Sequence, residues 1–426
     1  MTSSSPPRKV VAAGAGSTSG NSNNRKRSPT TSRADDVPTF PEAAWRGPFA
    51  DYRAAMVGTS EADDCLHFAA LWLAAAARLG RRLSIHYAYP LYPNPYLVGV
   101  GVTGDAKKTS TLRQGSALLP LDRVKILRGV GSAEALAEWM TQSESGPQFA
   151  HVLLLEELRA LLVRANWEGS SLLSFLTECF DTPTVYEAPF RKNPIKLVEP
   201  TPCLFAGTTA EWFWKSMPED NFHGGFGNRL FFLAAGRQPP IPRPGRPDGA
   251  GLEKVRLAVD RLDALPASEV QWSPEAAVIW DEFYLRWKDS AASLDALTAA
   301  ATKRIPAYAL KLALLYAAFE NTLPFITEDQ MAAANLVAGF GAESAQWLVG
   351  QRRRPSAERE CEEAVLRSLR REAMPTWKIH RAISGRFTAK ELERTISALR
   401  ATGAIVLTGT TSRRETIYGL RGQDDV

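Results

Sequence analysis

The chain has 426 residues, 45% of them hydrophobic and 23% charged, with a net charge of +5. That balance fits a soluble globular protein of two or three domains. No apolar run approaches the roughly 20 residues of a membrane span, the head has no apolar signal core, and four scattered cysteines form neither a CxxC pair nor a metal spacing. A membrane protein, a secreted protein and a disulfide scaffold are therefore not expected, and a cytoplasmic location is. Charge is unevenly placed: six basic residues and no acid precede Asp35, the chain from Gln351 onward carries +6, and the middle carries −7. Any attraction to nucleic acid belongs to particular segments.

Residues 1–38 are rich in Ser, Thr, Gly, Asn and Pro, with basic clusters, and are expected to be a disordered basic tail. A helical segment follows over 39–95, in which Thr59-Ser60-Glu61 ahead of an apolar stretch predicts a capped helix over 62–79, stopped at Gly80. Residues 87–96, with Pro90, Pro93 and Pro95, form an extended approach to the next strand.

From Tyr96 to Thr111 an apolar run breaks into glycines and then into lysines and hydroxyls. A buried strand that ends in glycine-rich chain and feeds a helix places backbone N–H groups around an anion, and lysine charge and the helix dipole act on the same group. The strict phosphate-loop spacing is not met. Counted from Gly101, Ala106 takes the place of the second glycine, Lys107 that of the lysine and Lys108 that of the hydroxyl. Lysine cannot ligate Mg²⁺ and threonine can, so the favoured register is one residue longer, with Lys108 on the phosphates and Thr109 on the metal. Gly101, Thr103, Gly104, Lys107 and Ser110 complete the candidate nucleotide-binding set. An ordinary strand-turn-helix with exposed lysines is the alternative.

A helix over 109–118, a strand over 124–127 and a helix capped by Gly131-Ser132-Ala133-Glu134 come next. Phe149 to Leu155 then reads as a central strand buried on both faces, and Glu156 and Glu157 follow at its carboxyl end, where such sheets bind ligands. In a nucleotide hydrolase the first carboxylate holds Mg²⁺ and the second polarises the attacking water. Helix over 158–180, broken near Gly169, leads to strands 184–190 and 195–198, a hairpin with Arg191 and Lys192 at its tip. A strand over 203–207 ends in Thr208-Thr209, which suit either a γ-phosphate contact or a helix cap. In His223-Gly224-Gly225-Phe226-Gly227-Asn228-Arg229, glycines permit a tight backbone from which Arg229 emerges as a candidate phosphate finger, acting on its own or a neighbour's nucleotide. A core over 96–240 is thus delimited.

Residues 241–352 read as a helical lid or scaffold, with helices at 255–262, 274–290, 294–323 interrupted at Pro306, and 327–349. Over 353–426 three helices and a β hairpin give a winged-helix pattern, with Lys390 and Arg394 on the recognition helix and Arg413 and Arg414 on the wing.

Thr59-Ser60-Glu61-Ala62, the loop over 101–110, the stretch over 129–136, Leu153 to Glu157 and above all Gly224 to Arg229 together resemble the P-loop helicase-like ATPases of phages, plasmids and other mobile elements, often fused to or encoded beside primases. The resemblance covers about residues 40–350. It implies a RecA/AAA-like P-loop core, ATP and Mg²⁺, and a ring-forming homo-oligomer such as a hexamer that acts as a DNA helicase or translocase. It places the essential lysine at Lys108, Glu157 on the attacking water, Thr208 on the γ-phosphate and Glu156 with Thr109 or Ser110 on the metal. It also puts Arg191 and Lys192 in a pore that grips single-stranded DNA. The chain departs from the family at Thr109, where a glycine is expected. The alternative is a non-hydrolysing DNA-binding replication initiator or scaffold that acts through the winged helix.

Overall fold

A computed structural model of the chain describes residues 37–101, 108–119, 126–141, 150–188, 194–352, 356–383, 386–401, 404–410 and 416–420. The expected tail over 1–38 lies almost wholly outside them. The described part is a mixed α/β protein organised on a five-stranded sheet. Its strands are β1 (Tyr96–Gly101), β2 (Ile126–Leu127), β3 (His151–Leu155), β4 (Pro202–Thr208) and β5 (Phe231–Ala235), in the order β2-β3-β4-β1-β5. Every ladder is parallel. β1, β4 and β5 are buried along their whole length, which is why their sequences are continuous apolar runs and do not alternate. Val100 stands beside Thr208, Gly101 beside Ala235 and Leu155 beside Ala206, so four strands end at one carboxyl edge.

The helix α1 (Asp64–Leu79) lies directly over β1 and over α2 (Lys108–Ser116). Two glycines permit this: a Cβ on Gly99 would fall 2.7 Å from the Leu66 side chain, and one on Gly115 would fall 2.4 Å from the Ala70 Cβ. The cap of α1 is Asp63, not the expected Thr59-Ser60. One Asp63 oxygen accepts from the Cys65 N–H (3.0 Å), and the other accepts from the Gly236 N–H and the Gln238 amide, both at 2.9 Å. The helix start is thereby pinned to the chain leaving β5. Thr59 instead donates its hydroxyl to the Met56 carbonyl at 2.8 Å.

Beyond β3 and β4 follow α3 (Leu158–Ala165), α4 (Leu172–Phe180) and α5 (Ala210–Ser216). The expected break between α3 and α4 contains Gly169 at φ +76°. Further on, α6 (Ile305–Glu320) carries Pro306 in its first turn, where a missing N–H costs nothing. α7 (Glu328–Arg352) covers the outer side of β5: Ser344 Oγ accepts from the Ala234 N–H at 3.1 Å. A small mixed sheet, not anticipated, joins Leu83–Tyr87 in parallel to Ser268–Trp272, and that strand in turn to Phe325–Ile326. Segments 39–95 and 241–352 therefore share a sheet, and one hydrophobic core runs from Ala44 to Val349.

The C-terminal part has its own core, built around Cys361, Val365, Ile379, Leu392 and Ile396. It consists of α8 (Ser356–Leu369), β6 (Met374–Pro375), α9 (Thr376–Ala382), α10 (Ala389–Ala401), β7 (Ile405–Thr410) and β8 (Thr416–Leu420), with an antiparallel sheet in the order β6-β8-β7. A capping box opens α10: Glu391 accepts from the Thr388 N–H at 2.7 Å, and Thr388 Oγ1 accepts from the Glu391 N–H at 3.3 Å. Among the described residues no helix is long and apolar enough to cross a membrane.

Candidate active site

In an open parallel sheet, ligands bind outside the carboxyl ends of the strands where successive connections part to opposite sides. Here the chain leaves β1 for the far edge at β2, returns through β3 and β4, and then passes β1 to reach β5. Because β4 separates β1 from β3, their carboxyl ends lie two strand spacings apart, about 10 Å. Gly101 is the buried last residue of β1, and Lys108, Thr109 and Ser110 form the first turn of α2, whose backbone N–H groups have no partner within the helix. Thr103, Gly104 and Lys107 lie outside the described residues.

Glu156 and Glu157 follow β3 directly, Glu156 half-buried and Glu157 exposed ahead of α3. The Glu156 carboxylate receives Arg113 of α2, from Nε at 3.1 Å and Nη2 at 3.5 Å. Positions 109 and 110 precede Arg113 by one turn, so they share the helix face that is turned toward Glu156. The structure thus brings the loop helix and the acid strand together across β4. Arg113 was not anticipated, although its place four residues after Thr109 was a signal. A hard cation here would have to take the Glu156 carboxylate from Arg113. Among the described residues no group of three or more His, Cys, Asp and Glu side chains gathers to hold a metal, and a magnesium ion bound jointly with phosphate does not need one.

The two threonines at the end of β4 have separate tasks. Thr209 caps α5, accepting from the Trp212 N–H at 3.2 Å. Thr208 is buried beside Val100 and donates to the Thr209 carbonyl at 3.3 Å.

Arg229 stands at the opposite, amino-terminal edge. Since Leu97 pairs with Phe231, Arg229 lies level with Pro95, roughly 20 Å along the sheet from Gly101, too far to reach an anion at the start of α2. It does not project as a finger: the residue is 8% exposed, its Nη2 pairs with Asp181, and its Nη1 donates to the Gly225 carbonyl at 2.8 Å. Gly225 takes φ +102°, and a Cβ there would meet that same Nη1 at 2.8 Å.

No family model matches the chain, and no curated protein matches it in sequence.

Beside Arg229 lies a lysine that sequence reasoning passed over. Lys311, the one charge within an otherwise apolar stretch of α6, donates to the carbonyls of Tyr92 and Asn94 (2.8 Å each) and to Asn94 Oδ1 (2.6 Å), and sits 4.6 Å from the Phe180 ring centre. Burial pushes its ammonium down to about 7. Asn94 passes the support on, donating to the carbonyls of Phe180 (3.0 Å) and Pro202 (3.3 Å). Tyr308, one turn before Lys311, donates to the Arg229 carbonyl at 2.6 Å and accepts from the Tyr96 N–H at 3.0 Å. The entry to β1 is thus held from several sides.

Of the expected DNA contacts, Lys390 and Arg394 are exposed one turn apart on α10. Arg191, Lys192, Arg413 and Arg414 lie outside the described residues. The strands flanking the first pair, Val185–Ala188 and Ile195–Val198, are antiparallel and carry a Lys196–Glu187 ion pair at 2.8 Å.

Proposed function

We propose that the chain is an ATP-hydrolysing motor that moves on DNA, a helicase or translocase with a P-loop core of RecA/AAA type. The observation that carries this reading is the shared carboxyl edge, where Gly101 and the start of α2 stand one strand away from the end of β3 and its acids Glu156 and Glu157. Lys108 and the free N–H groups at the start of α2 bind the β- and γ-phosphates. Glu157, exposed at the rim, takes the proton of the attacking water. Thr208 offers its hydroxyl to the γ-phosphate. Mg²⁺, held by Glu156 and the hydroxyl of Thr109 or Ser110, supplies charge neutralisation when bound. Arg229 can serve only a neighbouring subunit's nucleotide, and only after release from Asp181. In a ring of copies, Arg191 and Lys192 grip single-stranded DNA, and the C-terminal part acts as a winged helix that presents Lys390, Arg394, Arg413 and Arg414 to duplex DNA or to a replication partner such as a primase, in the replication of a mobile element.

A second reading, a DNA-binding initiator that does not hydrolyse ATP, is favoured by the Arg113–Glu156 contact, because Arg113 occupies the carboxylate that the metal needs. DNA-stimulated ATP turnover separates the two. Lys108→Ala and Glu157→Gln are expected to lower turnover by about 100-fold or more; equal rates in wild type and both variants refute the motor.

A further inference from the structure

A cavity of about 410 Å³ opens at the amino-terminal edge of the central sheet, and no residue of the candidate active site lines it. Its wall includes Arg81, Tyr89, Tyr92, Asp181, Thr182 and Arg304. We propose that this cavity is a binding site for a phosphate-bearing ligand of mononucleotide size, with Arg304 as the principal anion contact.

The charges in the wall do not cancel. Asp181 is shared between two guanidiniums, pairing with Arg229 through one oxygen and standing 3.5 Å from Arg304 through the other. Arg81 adds a third guanidinium, with Glu199 at 3.6 Å. Arg229 and Glu199 stand behind the wall; of the charged residues that line it, Arg81 and Arg304 face Asp181 alone, which leaves one positive charge, and a phosphate supplies its complement. The hydrogen bonding points the same way. Arg81 is spent on its own surroundings: its Nε donates to Thr201 Oγ1 at 3.0 Å and its Nη2 to the Pro183 carbonyl at 2.9 Å. Arg304 is less committed: its Nη1 reaches the Tyr89 hydroxyl at 3.0 Å and stands 3.5 Å from Asp181, and 26% of its side chain is open to solvent. A guanidinium with donors left over at an open cavity takes an oxyanion through charge-assisted hydrogen bonds.

The shape suits more than an inorganic ion. Tyr89 and Tyr92 both border the space, and the guanidinium of Arg81 lies 4.8 Å from the Tyr92 ring centre, so a cation and two aromatic rings stand ready for a base or a sugar. The backbone around the cavity is also strained. Of the four non-glycine residues at positive φ among those described, Thr182 (+50°) lines it, while Ala88 (+59°) adjoins Tyr89 and the Glu199 (+52°) N–H bonds to the Thr184 carbonyl at 2.8 Å. Such strain persists where surrounding structure overdetermines it, and it gathers at ligand sites.

The phosphate can come from a free nucleotide or from the end of a nucleic-acid strand. The test uses the full chain with Lys108→Ala, which separates this cavity from the phosphate loop. Calorimetric titration with deoxythymidine monophosphate, thymidine, and an oligothymidylate with and without a 5′-phosphate gives the arms. The monophosphate is expected to bind and thymidine to bind about tenfold more weakly or less. Tighter binding of the free monophosphate than of the phosphorylated oligomer supports the site with a nucleotide as its ligand; the reverse order supports it with a strand end. Adding Arg304→Gln is expected to weaken the phosphate-bearing probe by about tenfold or more. Binding indifferent to the phosphate, or undiminished in Arg304→Gln, overturns the proposal. If Arg304→Gln does not fold, the comparison of monophosphate with thymidine decides alone. ATP turnover does not enter any arm, so the motor reading can fail while this site stands, and the reverse.

Discussion

Lys311→Met is expected to change the pH dependence of stability in a way that no exposed lysine would. In the native chain the ammonium is buried, with the positive charge of Arg304 nearby, and these push its pKa from 10.5 down to about 7, while Asp181 draws it back up. The unfolded chain binds this proton up to about pH 10.5 and the native chain only up to about pH 7. Between those limits the unfolded state carries the extra proton, so stability rises with pH; it falls away as pH drops toward the native value. At about 1.4 kcal/mol per unit, the wild type gains about 2 kcal/mol from this group between about pH 7 and pH 9. Lys311→Met removes the titration and also leaves the oxygens of Tyr92 and Asn94 without their donor, so it is less stable throughout. Urea unfolding of both proteins across that range measures the effect as the difference between them, which cancels the other titrating groups. Parallel curves would refute the reasoning: the three accepting oxygens and the Phe180 ring would then hold the charge as well as water does.

Gly115→Ala places a methyl 2.4 Å from the Ala70 Cβ and is expected to cost about 1–3 kcal/mol, read as a lower melting temperature that Ala70→Gly partly restores; an unchanged melt would mean that α1 and α2 do not cross so closely. Asp63→Ala removes a helix cap together with the acceptor for Gly236 and Gln238, a loss of about 2–3 kcal/mol in urea unfolding. Asp63→Asn, which keeps an acceptor, is expected to lose less.

The strands of the central sheet were legible because burial on both faces leaves a continuous apolar run: residues 203–207 were expected and Pro202–Thr208 is found. Long helices were legible from periodicity, as with 274–290 against Pro274–Ala292. Local competition among capping residues was not. Four polar residues precede α1 within six positions, and only tertiary contact with Gly236 and Gln238 selects Asp63. The strand Ser268–Trp272 escaped notice because its partners are Leu83–Tyr87 and Phe325–Ile326, far away in sequence, and its own five residues are only partly buried. At the candidate site, residue types and order pointed to the carboxyl edge. Sequence could not say that Arg113 would take Glu156, nor that Arg229 would turn inward to Asp181, since both depend on which faces the helices present.

The Ser344 hydroxyl on the Ala234 N–H closes part of the rim of the central sheet, and β2 at the other rim is two residues long. At Ala234 one backbone donor of the rim strand β5 is thus already taken from inside the molecule, and any strand laid along that edge would have to displace the Ser344 hydroxyl to bond there.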